Sequence, residues 1–195
     1  PIYSPELLYF DVTRGDVPVN SVDVSYEAAK GIGYIKVSKF ARNTYNEFIT
    51  AIAKLKQAGC TSFVIDLRGN TGGYMDAAIN MINEFMPEGR LIVYTEGKSF
   101  PRSDVYANGT GTCKDAPIVV LTDEISASAS EIFSGAIQDN DRGTIIGRRT
   151  YGKGLVQTQM SLSDGSEMRL TIARYYTPSG RCIQKKYEMG NTDAY

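Results

Sequence analysis

Apolar residues recur along the chain at helical spacing in three stretches. Between residues 44 and 58 they fall three and four positions apart, after the capping-box spacing Thr44-x-x-Glu47 and before Gly59, a residue typical of helix ends. The same spacing recurs before Pro87, which stops a second helix, and again after the small residues around position 128. We therefore expect helices over residues 44–58, 75–86 and 130–138.

Shorter runs between these helices alternate apolar and polar residues or are continuously apolar, which is typical of strands. The dipeptide Asp164-Gly165 separates the last two runs and predicts a tight type I′ hairpin. Strands that alternate with helices predict an α/β fold whose central strands are parallel, with antiparallel strands added at both ends. The expected strands cover residues 7–12, 19–27, 33–40, 62–67, 91–94, 117–122, 144–147, 155–162 and 166–176.

Composition narrows the function classes. The chain has 195 residues, 42% of them hydrophobic, which is enough for one domain with a single core. Its formal net charge is −1 and it has no cluster of five or more basic residues, so nucleic-acid binding is not expected. The longest apolar runs, such as 118–121, are far shorter than the roughly 20 residues that span a bilayer.

The chain contains no histidine and three cysteines, Cys60, Cys113 and Cys182. No two of them form a Cys-x-x-Cys pair, so neither a structural metal nor another cofactor is expected. The odd number leaves open whether two cysteines form a disulfide or all three are thiols. Without histidine, a Ser-His-Asp triad is excluded, and an activated serine must use a lysine or a carboxylate as its base.

Ser128 follows an apolar strand and begins a predicted helix. In one interpretation Ser128-x-x-Glu131 is a capping box, and Ser128 only accepts backbone N–H bonds. In the other, a serine at this turn is exposed above the sheet, where the helix dipole and unpaired N–H groups stabilise an oxyanion. The glycine-rich turn at 66–73 is either an ordinary turn or an anion-binding concavity. Because both turns follow parallel strands, we expect them to converge on one crevice.

Lys153 lies between two glycines and has three interpretations. It can carry a solvated charge, as most loop lysines do, or act as a general base in a desolvated slot. The spacing Gly147-x4-Gly152-Lys153 also fits a phosphate-binding loop. Gly154 stands where that loop needs Ser or Thr, and the residues after it alternate like a strand, so nucleotide binding is not expected.

Four motifs in this order resemble those of the C-terminal processing peptidases, also called tail-specific proteases. The resemblance runs from about residue 33 to residue 184 and implies a ClpP/crotonase-like spiral of βαβ units. It also implies a serine–lysine endopeptidase that cleaves protein substrates near their C-termini. The motifs are Asp66-Leu67-Arg68-Gly69-Asn70-Thr71-Gly72-Gly73, Ser126-Ala127-Ser128-Ala129-Ser130-Glu131, Thr150-Tyr151-Gly152-Lys153-Gly154-Leu155-Val156-Gln157 and Tyr176-Thr177-Pro178-Ser179-Gly180-Arg181.

The resemblance assigns a role to each matching position. Ser128 corresponds to the nucleophile, Lys153 to the general base and Gln157 to the residue that holds the lysine. The backbone N–H groups of Gly73 and Ala129 correspond to the oxyanion hole. Asp139 matches a position important for activity, although a carboxylate at a helix end fits a structural role equally well.

Residues 1–30 are interpreted as a linker and the remnant strand of a preceding PDZ domain, 31–186 as the catalytic core, and 187–195 as a polar tail, frayed or truncated. The resemblance implies protein or peptide C-terminal tails as partners and an exported protein of the periplasm or cell envelope. Membrane association is expected only through parts absent from this chain, and the oligomeric state is not predicted.

Two other functions stay open. A non-catalytic peptide-binding or scaffold relative uses the same crevice without cutting, although it has no reason to keep the serine–lysine–glutamine set. A crotonase-type acyl-CoA enzyme is compatible with the fold but has only the glycine turns in its favour.

Overall fold

The computed structural model describes residues 9–14 and 20–186, which form two sheets and three helices. None of the helices in this part of the chain is long and apolar enough to cross a membrane. In chain order the elements are β1 (Val22–Ala29), β2 (Ile32–Val37), α1 (Thr44–Gln57), β3 (Ser62–Asp66), α2 (Met75–Asn83), β4 (Leu91–Glu96), β5 (Ser103–Tyr106), β6 (Ile118–Thr122), α3 (Ala129–Asp139), β7 (Thr144–Gly147), β8 (Leu155–Ser161) and β9 (Glu167–Tyr176).

The two sheets differ in strand direction. The first has the order β1-β2-β3-β6-β7, in which β2, β3, β6 and β7 are parallel and β1 is antiparallel to β2. The second has the order β5-β4-β9-β8 and is antiparallel throughout. The predicted α/β fold with a parallel centre and antiparallel additions is therefore confirmed, and the C-terminal ends of β3 and β6 lie side by side.

The core is organised around the ring of Phe85, which is fully buried just beyond α2. Three other buried rings contact it edge to face, with centroid distances of 6.2 Å to Phe48 of α1, 6.4 Å to Phe63 of β3 and 6.5 Å to Phe133 of α3. Aromatic pairs favour this geometry because the positive edge of one ring meets the negative face of another. One side chain thus joins three elements, two of which lead into the site described below.

The N-terminal strands differ from the prediction. Residues 9–12 of the expected strand 7–12 form no strand, and its first two residues lie outside the described residues. The expected strand 19–27 is β1, three residues later at its start, and it pairs with β2 over most of its length. The part of the proposed linker from residue 22 to 29 therefore belongs to the same sheet as the core.

The predicted capping box at α1 is wrong. Asn43 is the N-cap, and the Thr44 side chain instead accepts a hydrogen bond from the Ala41 N–H at 2.7 Å. Glu47 accepts from the backbone N–H groups of Ser21 at 2.6 Å and Val22 at 2.9 Å. Its carboxylate thus anchors the start of β1, a long-range partner that the local spacing did not reveal.

The turn between β8 and β9 is also not the predicted type I′ turn. That turn needs a positive φ at both central residues, but in the loop only Gly165, with φ 84°, has one. The Leu162 N–H donates to the Ser166 carbonyl and the Gly165 N–H to the Leu162 carbonyl, which makes a longer loop with glycine as its left-handed residue. The Asp164 carboxylate stabilises it by accepting from the Ser166 N–H at 3.0 Å.

Two further differences have simple causes. The second helix ends at Asn83 rather than at residue 86, and the chain forms turns at residues 84 and 85. The cause is Pro87, because the residue before a proline disfavours helical backbone. Strand β5 was not predicted because only Val105 among its four residues is even half-buried. An edge strand exposed on both faces has no hydrophobic alternation to detect.

We predict that Phe85→Ala lowers the free energy of unfolding by about 3–5 kcal/mol, because truncation leaves a cavity between three rings. Urea denaturation of the purified chain measures this. The matched control is Phe100→Ala, which removes a phenylalanine that is 45% exposed and is expected to change stability by no more than about 0.5 kcal/mol. Equal losses in the two variants would contradict a core centred on Phe85.

Candidate active site

Two loops converge where β3 and β6 end. The loop after β3 donates the Gly69 N–H to both carboxylate oxygens of Asp123, at 3.0 and 2.9 Å. In return, the Ser126 hydroxyl donates to the Leu67 carbonyl at 2.8 Å, and the Ala127 N–H donates to the Asn70 carbonyl at 3.0 Å. The convergence predicted from the sequence is therefore confirmed, and the two loops form a single hydrogen-bonded unit.

Asn70 fixes the glycine-rich loop from inside. Its side chain is fully buried, donates to the Val37 carbonyl at 2.9 Å and accepts the Gly72 N–H at 2.8 Å. Gly72 has φ 100°, and a Cβ at this position would lie 2.7 Å from the Ala127 carbonyl oxygen and 2.8 Å from the Ser128 Cβ. Only glycine allows the loop to approach the Ser128 turn this closely.

Ser128 has a strained backbone. Its φ of 55° and ψ of −112° lie outside the regions that residues with a Cβ normally occupy, and it directly precedes α3. Strain of this kind persists only where the surroundings impose it, and it is concentrated at functional sites. A strand, a sharp turn with a serine at its tip and a helix form the arrangement that exposes the nucleophilic hydroxyl in α/β-hydrolases. Ser128 is half-buried and thus reachable from solvent.

The carboxylate of Glu131 joins two segments, the serine turn (residues 123–128, between β6 and α3) and the lysine loop (residues 148–154, between β7 and β8). Its Oε2 accepts the Ser128 N–H at 2.8 Å and the Lys153 N–H at 2.9 Å, and its Oε1 accepts the Gly152 N–H at 2.6 Å. Glu131 is buried and lies in the first turn of α3, where the helix dipole favours a negative charge. The backbones of Ser128 and Lys153 therefore meet on one oxygen atom.

The side chains of Lys153 and Gln157 are exposed. Within residues 9–14 and 20–186 the Lys153 ammonium has no hydrogen bond or ion pair, and the Gln157 amide nitrogen lies 3.5 Å from the Thr171 hydroxyl. The structure thus brings the Lys153 backbone to the serine turn, whereas the expected Lys153–Gln157 hydrogen bond is not formed in this arrangement.

Gly73 and Ala129, the expected oxyanion-hole residues, each have an N–H group without a hydrogen-bond partner in the described part of the chain. Gly73 has φ 143° and lies against Phe40, whose carbonyl carbon and oxygen a Cβ would overlap. Ala129 is the first residue of α3, so its N–H has no partner within the helix. Both donors are available for an anion, as an oxyanion hole requires.

Asp139 lies at the opposite end of α3 from Ser128. It accepts the Ser179 hydroxyl at 2.6 Å and forms an ion pair with Arg181 at 2.5 Å. Burial alone would raise the pKa of Asp139, but hydrogen bonds from Ser179 and Thr177 and the Arg181 guanidinium lower it to about 2. Its contacts thus connect the end of the helix to the turn after β9.

Asp66 carries a second buried charge, at the start of the glycine-rich loop. Its side chain is 1% exposed, pairs with the Arg68 guanidinium at 2.7 Å and accepts the Tyr34 hydroxyl at 2.5 Å. Burial would raise the pKa of Asp66, but the hydrogen bonds from Arg68 and Tyr34 lower it to about 2. Burial and the same bond raise the pKa of Tyr34 to about 12. The network ties β2 to the loop that approaches Ser128.

The three cysteines are thiols in this structure. Cys60 and Cys113 are buried and Cys182 is exposed, and burial raises the pKa of Cys60 and Cys113. Residues 9–14 and 20–186 contain no group of three or more His, Cys, Asp or Glu side chains arranged to hold a metal ion.

Sequence reasoning missed the roles of Glu131 and Asp123. The Ser128-x-x-Glu131 spacing did predict the hydrogen bond from the Ser128 N–H. It gave no sign that the same carboxylate receives two N–H groups from residues more than 20 positions later. Asp123 follows β6 directly. Its position at the carboxyl end of a parallel strand indicates a residue at the edge of the sheet where sites form.

A profile of peptidase family S41 matches residues 31–191 of this sequence. The chain belongs to peptidase family S41. The carboxyl-terminal-processing protease of Synechocystis sp. is 38% identical over 179 residues, which are 90% of this chain and 42% of that protein. The chloroplastic C-terminal processing peptidase of Tetradesmus obliquus is 38% identical over 159 residues, 81% of this chain and 34% of that protein.

Solved S41 structures share the fold. The photosystem II D1 C-terminal processing protease superposes with a TM-score of 0.74 at 35% identity, over 85% of this chain and 44% of that one. A putative S41 protease from Bacteroides fragilis superposes with a TM-score of 0.69 at 20% identity, over 86% of this chain and 49% of that one, which supports the fold alone. The chain spans less than half the length of these S41 relatives.

The lowered pKa of Asp66 predicts a pH dependence of stability. Its folded pKa of about 2 is below the value of about 3.9 in an unfolded chain, so its stabilising effect is complete above pH ~4 and is lost as the pH falls towards 2. We expect Asp66→Asn to be less stable than the wild type at pH 7 and to lose less stability between pH 5 and pH 2. Urea denaturation at several pH values tests this, and parallel curves would contradict it.

We predict that Glu131→Gln loosens the lysine loop. Glutamine has one acceptor oxygen in place of two, so at least one of three N–H groups loses its partner, at a cost of about 1–3 kcal/mol in stability. Hydrogen exchange at the Gly152 and Lys153 amides should become faster. The control is Glu124→Gln, which removes an exposed carboxylate paired with Arg148 and should leave those amides unchanged. Unaltered exchange in Glu131→Gln would show that other contacts hold the loop.

Proposed function

We propose that this S41 peptidase is a serine endopeptidase with a Ser128–Lys153 dyad that cleaves protein substrates near their C-termini. The observation that carries the proposal is the shared Glu131 carboxylate, which binds the backbone N–H groups of both residues. Two residues 25 positions apart are thereby held at one point beside a strained serine. This sequence contains no histidine, so within this chain the base must be a lysine or a carboxylate.

In the first step the Ser128 hydroxyl oxygen attacks the carbonyl carbon of the scissile peptide bond. The hydroxyl proton passes to the neutral amine of Lys153, and the carbonyl oxygen becomes an oxyanion. The N–H groups of Gly73 and Ala129 support this step, since both lack a partner in the described structure and one is the N-terminal donor of α3.

The tetrahedral intermediate then collapses. The carbon–nitrogen bond breaks, the Lys153 ammonium donates its proton to the leaving amine, and Ser128 keeps the acyl group as an ester. Lys153, neutral again, takes a proton from a water molecule as the water oxygen attacks the ester carbonyl carbon. The second tetrahedral intermediate collapses, the bond from that carbon to the Ser128 oxygen breaks, and the Ser128 oxygen takes the proton from the Lys153 ammonium, which releases the product with its new C-terminal carboxyl group. Each proton that the lysine accepts is returned, so the cycle needs no cofactor.

Gln157 is proposed to orient Lys153. In the active arrangement the Lys153 side chain turns toward Ser128, and the Gln157 amide oxygen accepts one of its N–H bonds. Both side chains are exposed, and neither is held strongly elsewhere, since the Gln157–Thr171 contact of 3.5 Å is at the limit of a hydrogen bond. Glycines on both sides of the lysine allow the required bend.

The substrate class rests on likeness to the named relatives. Relatives at 35–38% identity carry names of carboxyl-terminal or D1 C-terminal processing proteases. We extend their cleavage near C-termini, and an exported location in the periplasm or cell envelope, to this protein as proposals. Asp139 is proposed to support the site indirectly, by holding the far end of α3 to the 177–181 turn.

The test combines cleavage and covalent labelling. Proteins with unstructured C-terminal tails are incubated with the chain and the products are mapped by mass spectrometry, while a fluorophosphonate probe reports a nucleophilic serine. We expect the wild-type chain to cleave tails and to be labelled at Ser128. The rate of cleavage should fall by about 10³-fold or more in Ser128→Ala and likewise in Lys153→Ala. Gln157→Ala should lower the cleavage rate without lowering the melting temperature.

The matched controls are Ser161→Ala and Lys98→Ala, which change exposed residues away from the site and should retain full cleavage. Cleavage that survives loss of either Ser128 or Lys153 would reject the dyad. A folded wild-type chain that neither cleaves nor reacts with the probe would favour the alternative, a peptide-binding or scaffold relative that holds an extended chain without cutting it.

A further inference from the structure

A cleft of about 1440 Å³ lies behind the lysine loop. Helix α3, residue Ile145 of β7, the loop 148–152 and the segment 181–186 form its walls. Glu131 and Gly152 line it, whereas Ser128 and Lys153 do not. Its volume exceeds the roughly 300–1,000 Å³ typical of small-molecule sites, so its size fits a segment of polypeptide better than a metabolite.

The cleft is strongly basic although the chain as a whole has a net charge of −1. Its lining includes six cationic side chains and one carboxylate, that of Glu131, which already accepts three backbone N–H groups. Two of the cations have acidic partners, Arg148 with Glu124 and Arg181 with Asp139. The other four form no ion pair within residues 9–14 and 20–186, and they are Arg149, Arg174, Lys185 and Lys186.

The wall at Ile145 is the edge of a sheet. Among the described residues, β7 is the last strand in its sheet and pairs with β6 alone. The Arg148 N–H donates to the Thr122 carbonyl of β6, and because backbone groups alternate sides along a strand, the groups of Ile146 also face β6. Those of Ile145 and Gly147 face away from β6, where no described strand meets them. An unpaired strand edge is a template for another strand.

We propose that this cleft binds an extended acidic peptide, which adds to the free edge of β7 as a sixth strand. The Ile145 and Gly147 backbone groups pair with the peptide backbone. In an extended peptide every second side chain points to the same side, so carboxylates at alternate positions reach the unpaired cations. The site is a second peptide-binding site beside the proposed catalytic one and does not depend on the serine–lysine chemistry.

Binding is measured on the full chain carrying Ser128→Ala, so that no cleavage interferes and failure of the proposed chemistry does not affect the result. The probe is a fluorescent, acetylated and amidated peptide of about eight alternating glutamate and valine residues, long enough to pair with the four-residue strand. A peptide of the same length with lysine in place of glutamate tests whether binding requires negative charge on the peptide. An acidic peptide with N-methyl groups on alternate residues tests backbone pairing, because it keeps the carboxylates and loses the N–H donors on one edge.

We expect the acidic peptide to bind, the lysine peptide not to bind, and the N-methylated peptide to bind at least about tenfold more weakly. Hydrogen exchange at the Ile145 and Gly147 amides should slow on binding, whereas the Ile146 amide, already bonded to β6, should not change. Arg149→Gln with Lys186→Gln should weaken binding at least about tenfold, since each removes an unpaired cation. The matched control, Arg90→Gln with Lys98→Gln, changes two exposed cations outside the cleft and should bind normally.

Three results would overturn the proposal. If the acidic peptide does not bind, the cleft is not a site for acidic peptides. Equal binding of the N-methylated peptide shows charge adsorption without strand addition. Slow exchange at Ile145 and Gly147 before any peptide is added shows that the edge is already covered, by this chain itself or by a second copy, which ultracentrifugation distinguishes.

Discussion

The geometry of the candidate active site depends on one buried carboxylate. Glu131 offers two oxygens to three backbone N–H groups, from the serine turn and the lysine loop. Bonds from N–H groups to a charged acceptor are stronger than neutral ones, and here they join segments that no strand pairing connects. A carboxylate inside the protein is stable only when such donors surround it. The same bonds therefore stabilise the buried carboxylate and hold the backbones of Ser128 and Lys153, the proposed nucleophile and base, next to each other.

Contacts hold the Ser128 turn in place, whereas the Lys153 side chain forms no hydrogen bond within the described residues. Gly72 packs against the Ser128 Cβ. The Asn70 carbonyl accepts the Ala127 N–H, and the Asp123 carboxylate accepts the Gly69 N–H. These contacts keep Ser128 in a conformation that an unrestrained residue would leave. The Lys153 side chain has no comparable support in the described structure. With Ser128 as the proposed nucleophile and Lys153 as the proposed base, assembly of the site requires the Lys153 side chain to turn toward Ser128.

Prediction from sequence succeeded where the determining interactions are local. The helical spacing of apolar residues predicted the bounds of α1 and α3 closely. The strand-to-helix turns at 66–73 and around Ser128 predicted where the two loops of the candidate site converge. It failed where a side chain serves a distant partner. Glu47 has the spacing of a capping box but anchors β1, and Glu131 has that spacing and also binds Gly152 and Lys153. The number of N–H groups that reach one carboxylate is a property of the packing, which spacing alone does not contain.

The lysine loop lies between the serine turn and the basic cleft, so the two proposed sites share this segment of the chain. The Gly152 N–H donates to Glu131, while the Gly152 carbonyl accepts the Lys185 N–H at 2.9 Å on the cleft side. The next glycine, Gly154, donates to the Gln184 side chain at 3.0 Å. A peptide against residues 184–186 would therefore contact the wall that supports the Lys153 backbone. The Ser128 backbone shares Glu131 with Lys153 and is also held by the glycine-rich loop. The proposed peptide site and the proposed catalytic site thus share one wall, and a peptide in the cleft would lie against the segment that supports the proposed base.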